Sequence, residues 1–190
     1  MAQDKPMAAP NMPNHSVIQS QPGEVALRSS PDAAKAPYDL QFLDIMSVHH
    51  KSAVHMAQLV GQRSAHEELK EAAKKMIEDQ QGEIKQLQEW RQQWYPGKPD
   101  AVNMKMAGMM ASMKGMSMDM MAAKSGAAFD SMFLDMMSKH HEGAVKMAQA
   151  ALGKAEHPEI KDLTKKIIDS QKAEIAQMAT WEKEWKLAGK

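Results

Sequence analysis

Two stretches of this chain are copies of one another, and that duplication limits what it can fold into more than any other feature. Residues 38–95 and 129–186 align without a gap at an offset of 91, and about 25 of the 58 positions are identical. The best-matched segments are Phe42-Leu43-Asp44-Ile45-Met46-Ser47-Val48-His49-His50 and Phe133-Leu134-Asp135-Met136-Met137-Ser138-Lys139-His140-His141. Each is followed by Ala-Val-x-Met-Ala-Gln, ending at Gln58 and Gln149. Further matched pairs are His66/His157, Gln80/Gln171, Glu83/Glu174, Trp90/Trp181 and Trp94/Trp185. In a repeat, both copies adopt one supersecondary unit and stack to bury a core that neither closes alone.

Each copy has the pattern of two helices. The first starts near Asp39 or Asp130, both suitable N-cap residues, and fades near Gly61–Ser64 or Gly153–Lys154. The second starts near His66, or at His157-Pro158, where proline suits the first helical turn. Leu69, Ala73, Met76, Ile77, Ile84, Leu87, Trp90 and Trp94 recur at helical spacing, and Pro96-Gly97 ends the run. The copy runs through Ile160, Leu163, Ile167, Ile168, Ile175, Met178, Trp181 and Trp185. Strand signals are absent. The expected fold is all-α, a four-helix bundle of two duplicated helical hairpins over 37–97 and 128–190. A Met-rich connection over 98–127 joins them, and a Pro-rich arm over 1–36, flexible or surface-wrapping, precedes them.

The chemistry follows from one compositional fact: the chain holds 20 Met and no Cys. Disulfides and thiolate metal sites are thereby excluded. Paired imidazoles ringed by thioethers point to a soft metal, because thioether sulfur selects Cu(I) and imidazole also suits copper. On a helix, residues three and four apart share a face, so Met46 neighbours both His49 and His50. The adjacent rings diverge by about 100° and do not easily chelate one ion as a local pair. Either they bind from opposite edges of the stripe, or one binds while the other is structural. His49 lines up with Met56, seven residues on. In the second copy Met136, His140 and Met147 form a fuller stripe, where the first has Ile45, so that copy is expected to bind more tightly. The candidate ligands are Met46, His49, His50 and Met56, with Met136, Met137, His140, His141 and Met147. The plainer reading is that methionine at helical spacing fills core gaps. The histidines resist that reading, since a neutral imidazole inside a bundle needs partners for both nitrogens.

The connection carries nine methionines between Asn103 and Gly126. Met110, Met113, Met116 and Met118 have the spacing of a thioether-only Cu(I) motif; the alternative is a satellite apolar cluster or a lid over the bundle. The segment is either irregular or a short helix broken at Gly108 and Gly115. Met7, Met12 and His15 form a weaker candidate in the arm. Gln80, Glu83, Gln171 and Glu174 lie on or beside the inward stripe of the second helices. They are candidate partners for the ring N–H that a ligating histidine leaves over, or else a solvated helix edge. Asp44 and Asp135 fall on the far face, as surface or helix-pairing residues. His66 and His157 belong to cap regions, and the Trp pairs to core or end-plugs.

The 24 basic and 24 acidic residues cancel, so no global field favours nucleic acid or an anionic membrane. No apolar run approaches the ~18 residues of a membrane-spanning helix. Glycine-rich phosphate loops and cysteine nucleophiles are absent as well.

The pattern Phe-Leu-Asp-x-Met-x-x-His-His-x-x-Ala-Val-x-Met-Ala resembles a bacterial family known only as a domain of unknown function, number 305 of that series. The resemblance covers residues 38–186, with Ile45 as the departure in the first copy. It implies a ferritin-like helical fold, export, copper binding and a part in copper resistance. Residue by residue it points to Met46, His49, His50 and Met56, and to Met137, His140, His141 and Met147. Met1-Ala-Gln-Asp-Lys-Pro lacks the basic and apolar segments of a secretory signal, so a periplasmic or extracellular location rests on the resemblance. The leading expectation is a non-enzymatic protein that sequesters or passes on Cu(I), also accepts Cu(II) through histidine, and takes Ag(I) as a mimic. Its partners would be copper ions and a copper exporter or sensor protein. A ferritin-like metal-dependent oxidase is the second reading. Di-iron bundles use Glu-x-x-His motifs, and no Glu here stands three residues before a His. The third is a metal-free helical interaction module with a promiscuous methionine surface.

Overall fold

The computed structural model describes residues 28–187. Its four long helices are α1 (Tyr38–Arg63), α2 (Glu67–Trp94), α5 (Gly126–Lys154) and α6 (Pro158–Glu184). Two short helices, α3 (Met109–Met113) and α4 (Met118–Ala122), lie in the connection, and a single 3-10 turn over Ala33–Lys35 precedes α1. No strand occurs among the described residues. Helices α1 and α2 form one hairpin and α5 and α6 the other, so the expected four-helix bundle is the fold. Most of the N-terminal arm, with Met7, Met12 and His15, lies outside the described residues.

The hairpins meet along α1 and α5, which run antiparallel. One apolar cluster joins the start of α1 (Phe42, Leu43, Ile45, Met46) to the end of α5 (Ala144, Met147, Ala148, Ala151), with Leu87 of α2 and Ile160, Leu163 and Ile167 of α6. The second joins the rest of α1 (Ala53, Met56, Ala57, Val60) to the start of α5 (Phe129, Phe133, Met136, Met137). Between the clusters, on both helices, stand the His doublets. The outer helices bury only a narrow stripe: Leu69, Ala73, Met76, Gln80 and Leu87 on α2. The matching stripe on α6 contains Gln171. In each, a glutamine interrupts the apolar stripe at the level of the histidines.

The helix starts differ from expectation at both aspartates. Helix α1 is preceded by Pro37 and α5 by Ser125, so Asp39 lies in the first turn of α1 and Asp130 is the fifth residue of α5, and neither caps its own helix. Each caps the second helix of the other hairpin instead. Asp39 accepts from the Glu156 and His157 amides at 3.1 and 2.9 Å and from His157 Nδ1 at 2.6 Å. Asp130 accepts from the Ala65 amide at 3.1 Å and His66 Nδ1 at 2.7 Å. An N-terminal anion complements the helix dipole, and here tertiary packing delivers it. Each histidine also stacks on a tryptophan of its partner helix pair: His157 on Trp94 at 3.8 Å and His66 on Trp185 at 3.6 Å between ring centres. The Trp pairs are therefore end-plugs, and the histidines occupy N-cap positions as expected.

The connection breaks the two-fold relation. Buried Asp44 accepts from Arg91 Nε at 2.9 Å and from the Ala101 amide at 2.7 Å, while its counterpart Asp135 pairs with Lys139 at the surface. One copy is thus a helix-pairing residue and the other a surface one. Met104, Met106 and Met109 complete the first cluster and Met121 the second, so these four thioethers are core. Helix α3 is bounded by Gly108 (φ 86) and Gly115 (φ 76), the two glycines at which a break was expected.

Candidate metal centre

The doublets meet at the middle of the bundle. His49, His50, His140 and His141 are all 0% exposed. Adjacent rings within a doublet stand 6.3 and 6.2 Å apart at 62° and 57°, the divergence that helical geometry requires. Across the hairpins, however, the His49 and His140 rings lie 3.6 Å apart. The sequence suggested two related but non-identical His–Met faces in one bundle and left open whether they lie within or between the hairpins. The antiparallel crossing of α1 and α5 merges them into one imidazole layer, because the doublets occupy equivalent positions on helices related by two-fold symmetry.

Two serines define the state of the central pair. Ser52 Oγ donates to the His49 carbonyl at 2.7 Å and stands 2.7 Å from His140 Nε2. Ser112 Oγ donates to the Met109 carbonyl at 2.7 Å and stands 3.2 Å from His49 Nε2. A carbonyl only accepts, and a hydroxyl has one proton to give. With each hydroxyl proton on a carbonyl, the serine oxygens are acceptors for a ring Nε2–H. The Nδ1 atoms of His49 and His140 are buried and without a hydrogen-bond partner. Burial, reinforced by the neighbouring imidazoles, holds both rings well below the ordinary histidine pKa of 6.5, so they are neutral and able to coordinate.

The outer pair has another environment. Glu83 Oε2 approaches His50 Nε2 to 2.7 Å and Glu174 Oε2 approaches His141 Nε2 to 2.8 Å. Neither carboxylate lies along a ring N–H, since both nitrogens of His50 and His141 lack a directed hydrogen bond. The contacts are close approaches without hydrogen-bond geometry. Gln80 and Gln171, 3% and 2% exposed, face the layer with Gln80 Oε1 and Nε2 and Gln171 Oε1 unpartnered. Unpaired buried polar atoms cost about 1–3 kcal/mol each, and native proteins retain them chiefly where a function uses them.

Methionines flank the layer. Met46 and Met147 are fully buried in the first cluster, and Met56 and Met137 in the second, with Met136 at 7% exposure. No group of three or more His, Cys, Asp or Glu able to hold a metal ion occurs among the described residues, so a site here would mix imidazole and thioether. The connection methionines are dispersed. Met113 packs against the first cluster, Met116 and Met118 against the second, and Met110 is 63% exposed.

Sequence reasoning missed both serines. The signal was present as a mismatch between the repeats: Ser52 aligns with Gly143, so the second copy lacks the hydroxyl that the first supplies. Ser112 fills the place that glycine leaves open, as the 2.3 Å between its Cβ and a Cβ built on Gly143 indicates.

Fold and site together define a duplicated four-helix bundle with an internal layer of buried histidines between thioether-rich cores. The chain belongs to the family described as domain of unknown function (DUF305), which matches residues 39–182. It is similar to CopM in the Cu(I)-bound form, with 36% identity over 77% of this chain and 96% of that one, at a TM-score of 0.66. CopM in the Cu(II)-bound form gives 38% identity over 79% and 99%, at 0.67. CopM has also been solved bound to silver. A DUF305 protein of Streptomyces coelicolor, proposed there to be secreted, is 29% identical over 77% and 91%, at 0.67. No curated protein matches the chain. No described helix is long and apolar enough to cross a membrane.

Proposed function

We propose that this protein is a non-enzymatic copper binder that holds Cu(I) at the central imidazole layer for sequestration or transfer. The observation that carries the reading is the pair of unpartnered, buried Nδ1 atoms on His49 and His140, whose rings lie 3.6 Å apart. Met46, Met56, Met136, Met137 and Met147 are the thioethers that would complete the ligand set. Copper, when bound, would use these neutral soft donors as ligands. Serine, by holding Nε2–H, keeps the coordinating nitrogen free and fixes the ring plane. Neutral donors in a dry site favour a monovalent ion, because burying an uncompensated double charge is far costlier. Cu(I) and its mimic Ag(I) fit that condition. The outer pairs, His50 with Glu83 and His141 with Glu174, combine imidazole with carboxylate, a donor set suited to Cu(II).

The solved copper- and silver-bound states of CopM support the choice of metal. A periplasmic or extracellular location, a part in copper resistance and hand-over to an exporter or sensor complete the proposal. Competition titration against a Cu(I) chelator tests it: wild type should bind below micromolar, and His49→Ala with His140→Ala should lose about 100-fold or more. Absence of Cu(I) and Ag(I) binding at sub-micromolar affinity would end it.

A further inference from the structure

Helix α3 forms one wall of the site, through Ser112 beside His49. It has five residues, too few to persist without tertiary support. Its inward face is Met109 and Ser112, 0% and 2% exposed, whereas Met110 points outward at 63%. It seats on α5 where two glycines bring the backbones together. A Cβ on Gly143 would come within 2.3 Å of Ser112 Cβ and 2.9 Å of the Gly108 carbonyl. A Cβ on Gly108, whose φ of 86° already favours glycine, would come within 2.3 Å of the Gly143 carbonyl. Through this seat Ser112 reaches His49 Nε2 at 3.2 Å.

The two central histidines are therefore held in unlike ways. His140 is held by Ser52, a residue of the long helix α1. His49 is held by a serine on a short, glycine-bounded segment of the connection. A five-residue segment attached through one inward face opens at lower free energy than the long helices it packs on.

We propose that α3 is the door to the buried imidazole layer and Ser112 its latch: undocking α3 from Gly143 frees His49 Nε2 and opens the path by which a metal ion enters and leaves. The inference rests on the copper reading above for the identity of the ion, but not for the motion. The door is on the His49 side only, since the equivalent position beside His140 is closed by α1 itself.

Diethylpyrocarbonate labelling of the metal-free protein, read residue by residue by mass spectrometry, tests the motion without metal. Exposed His55 serves as an internal reference in every variant. Ser112→Ala should raise the His49 labelling rate about fivefold, the population change expected from losing one ordinary hydrogen bond. Gly143→Ala blocks the seat and should raise it further, while improving helix propensity within α5. Ser52→Ala removes the same kind of bond from His140 without touching α3, and should leave His49 at the wild-type rate.

Chelator-driven release of Ag(I) in a stopped-flow instrument should accelerate in the same order, Gly143→Ala above Ser112→Ala above wild type. If His49 labelling is unchanged in both α3 variants, or if Ser52→Ala raises it equally, the door is refuted even where copper binds. If labelling follows the expected order while wild type binds neither Cu(I) nor Ag(I), the door stands and the copper reading falls.

Discussion

Replacing Asp39 with alanine should destabilise the bundle by about 3 kcal/mol, because this carboxylate caps a helix to which it does not belong. It is 2% exposed and accepts from the Glu156 amide, the His157 amide and His157 Nδ1. Loss of an N-cap acceptor costs about 1 kcal/mol, and a buried donor left without a partner adds about 1–3 kcal/mol. Asp39→Asn keeps an acceptor oxygen and should cost roughly half as much. Asp130→Ala, with two donors instead of three, should fall between them. Urea unfolding followed by circular dichroism gives the numbers, with the slope unchanged if only the native state is affected. The decisive measurement is the double-mutant cycle with His157→Ala, which should show a coupling of about 1 kcal/mol or more. If Asp39 merely capped α1, the coupling would be near zero and Asp39→Ala would cost no more than an ordinary cap. Either result refutes the reasoning.

Stability should fall with acidity below pH 6.5. His49 and His140 are held well below their ordinary value by burial, so below 6.5 the unfolded chain takes up protons that the folded chain refuses. Their contribution is complete above that value and is lost on acidification by up to about 1.4 kcal/mol per pH unit for each ring. Urea midpoints across pH 5–8 should flatten in a His49→Gln, His140→Gln variant. Saturating Ag(I) should raise the melting temperature of wild type: ligand at 100 times Kd stabilises by about 2.7 kcal/mol. The His49→Ala, His140→Ala variant should show no such shift in calorimetry. Finally, Arg91→Ala should cost about 2 kcal/mol or more by stranding Asp44 at 9% side-chain exposure, whereas Lys139→Ala should cost about 0.5 kcal/mol or less, because its pair with Asp135 is solvated.

The repeat with its two periodicities was sufficient to expect four long helices in two hairpins, and the glycines at 108 and 115 marked where α3 begins and ends. The histidine doublets were legible as a repeated pattern, and Gln80, Glu83, Gln171 and Glu174 as residues on or beside the inward stripe of the second helices, because spacing on a helix fixes which side chains share a face. Asp39 and Asp130 were misplaced for a physical reason: an aspartate near a helix start has the same local signature whether its oxygen turns to its own backbone or to another helix.

Sequence by itself determined the elements, the repeated imidazole–thioether pattern and the divergence of adjacent rings, since all of these follow from 3.6 residues per turn. Only the tertiary structure decided which histidines face each other. The antiparallel crossing of α1 and α5 pairs His49 with His140, and no spacing within one helix encodes a crossing point between two. It also decided that a serine from the connection replaces the one missing at Gly143, because a vacated side-chain volume can be filled from anywhere in the chain that reaches it.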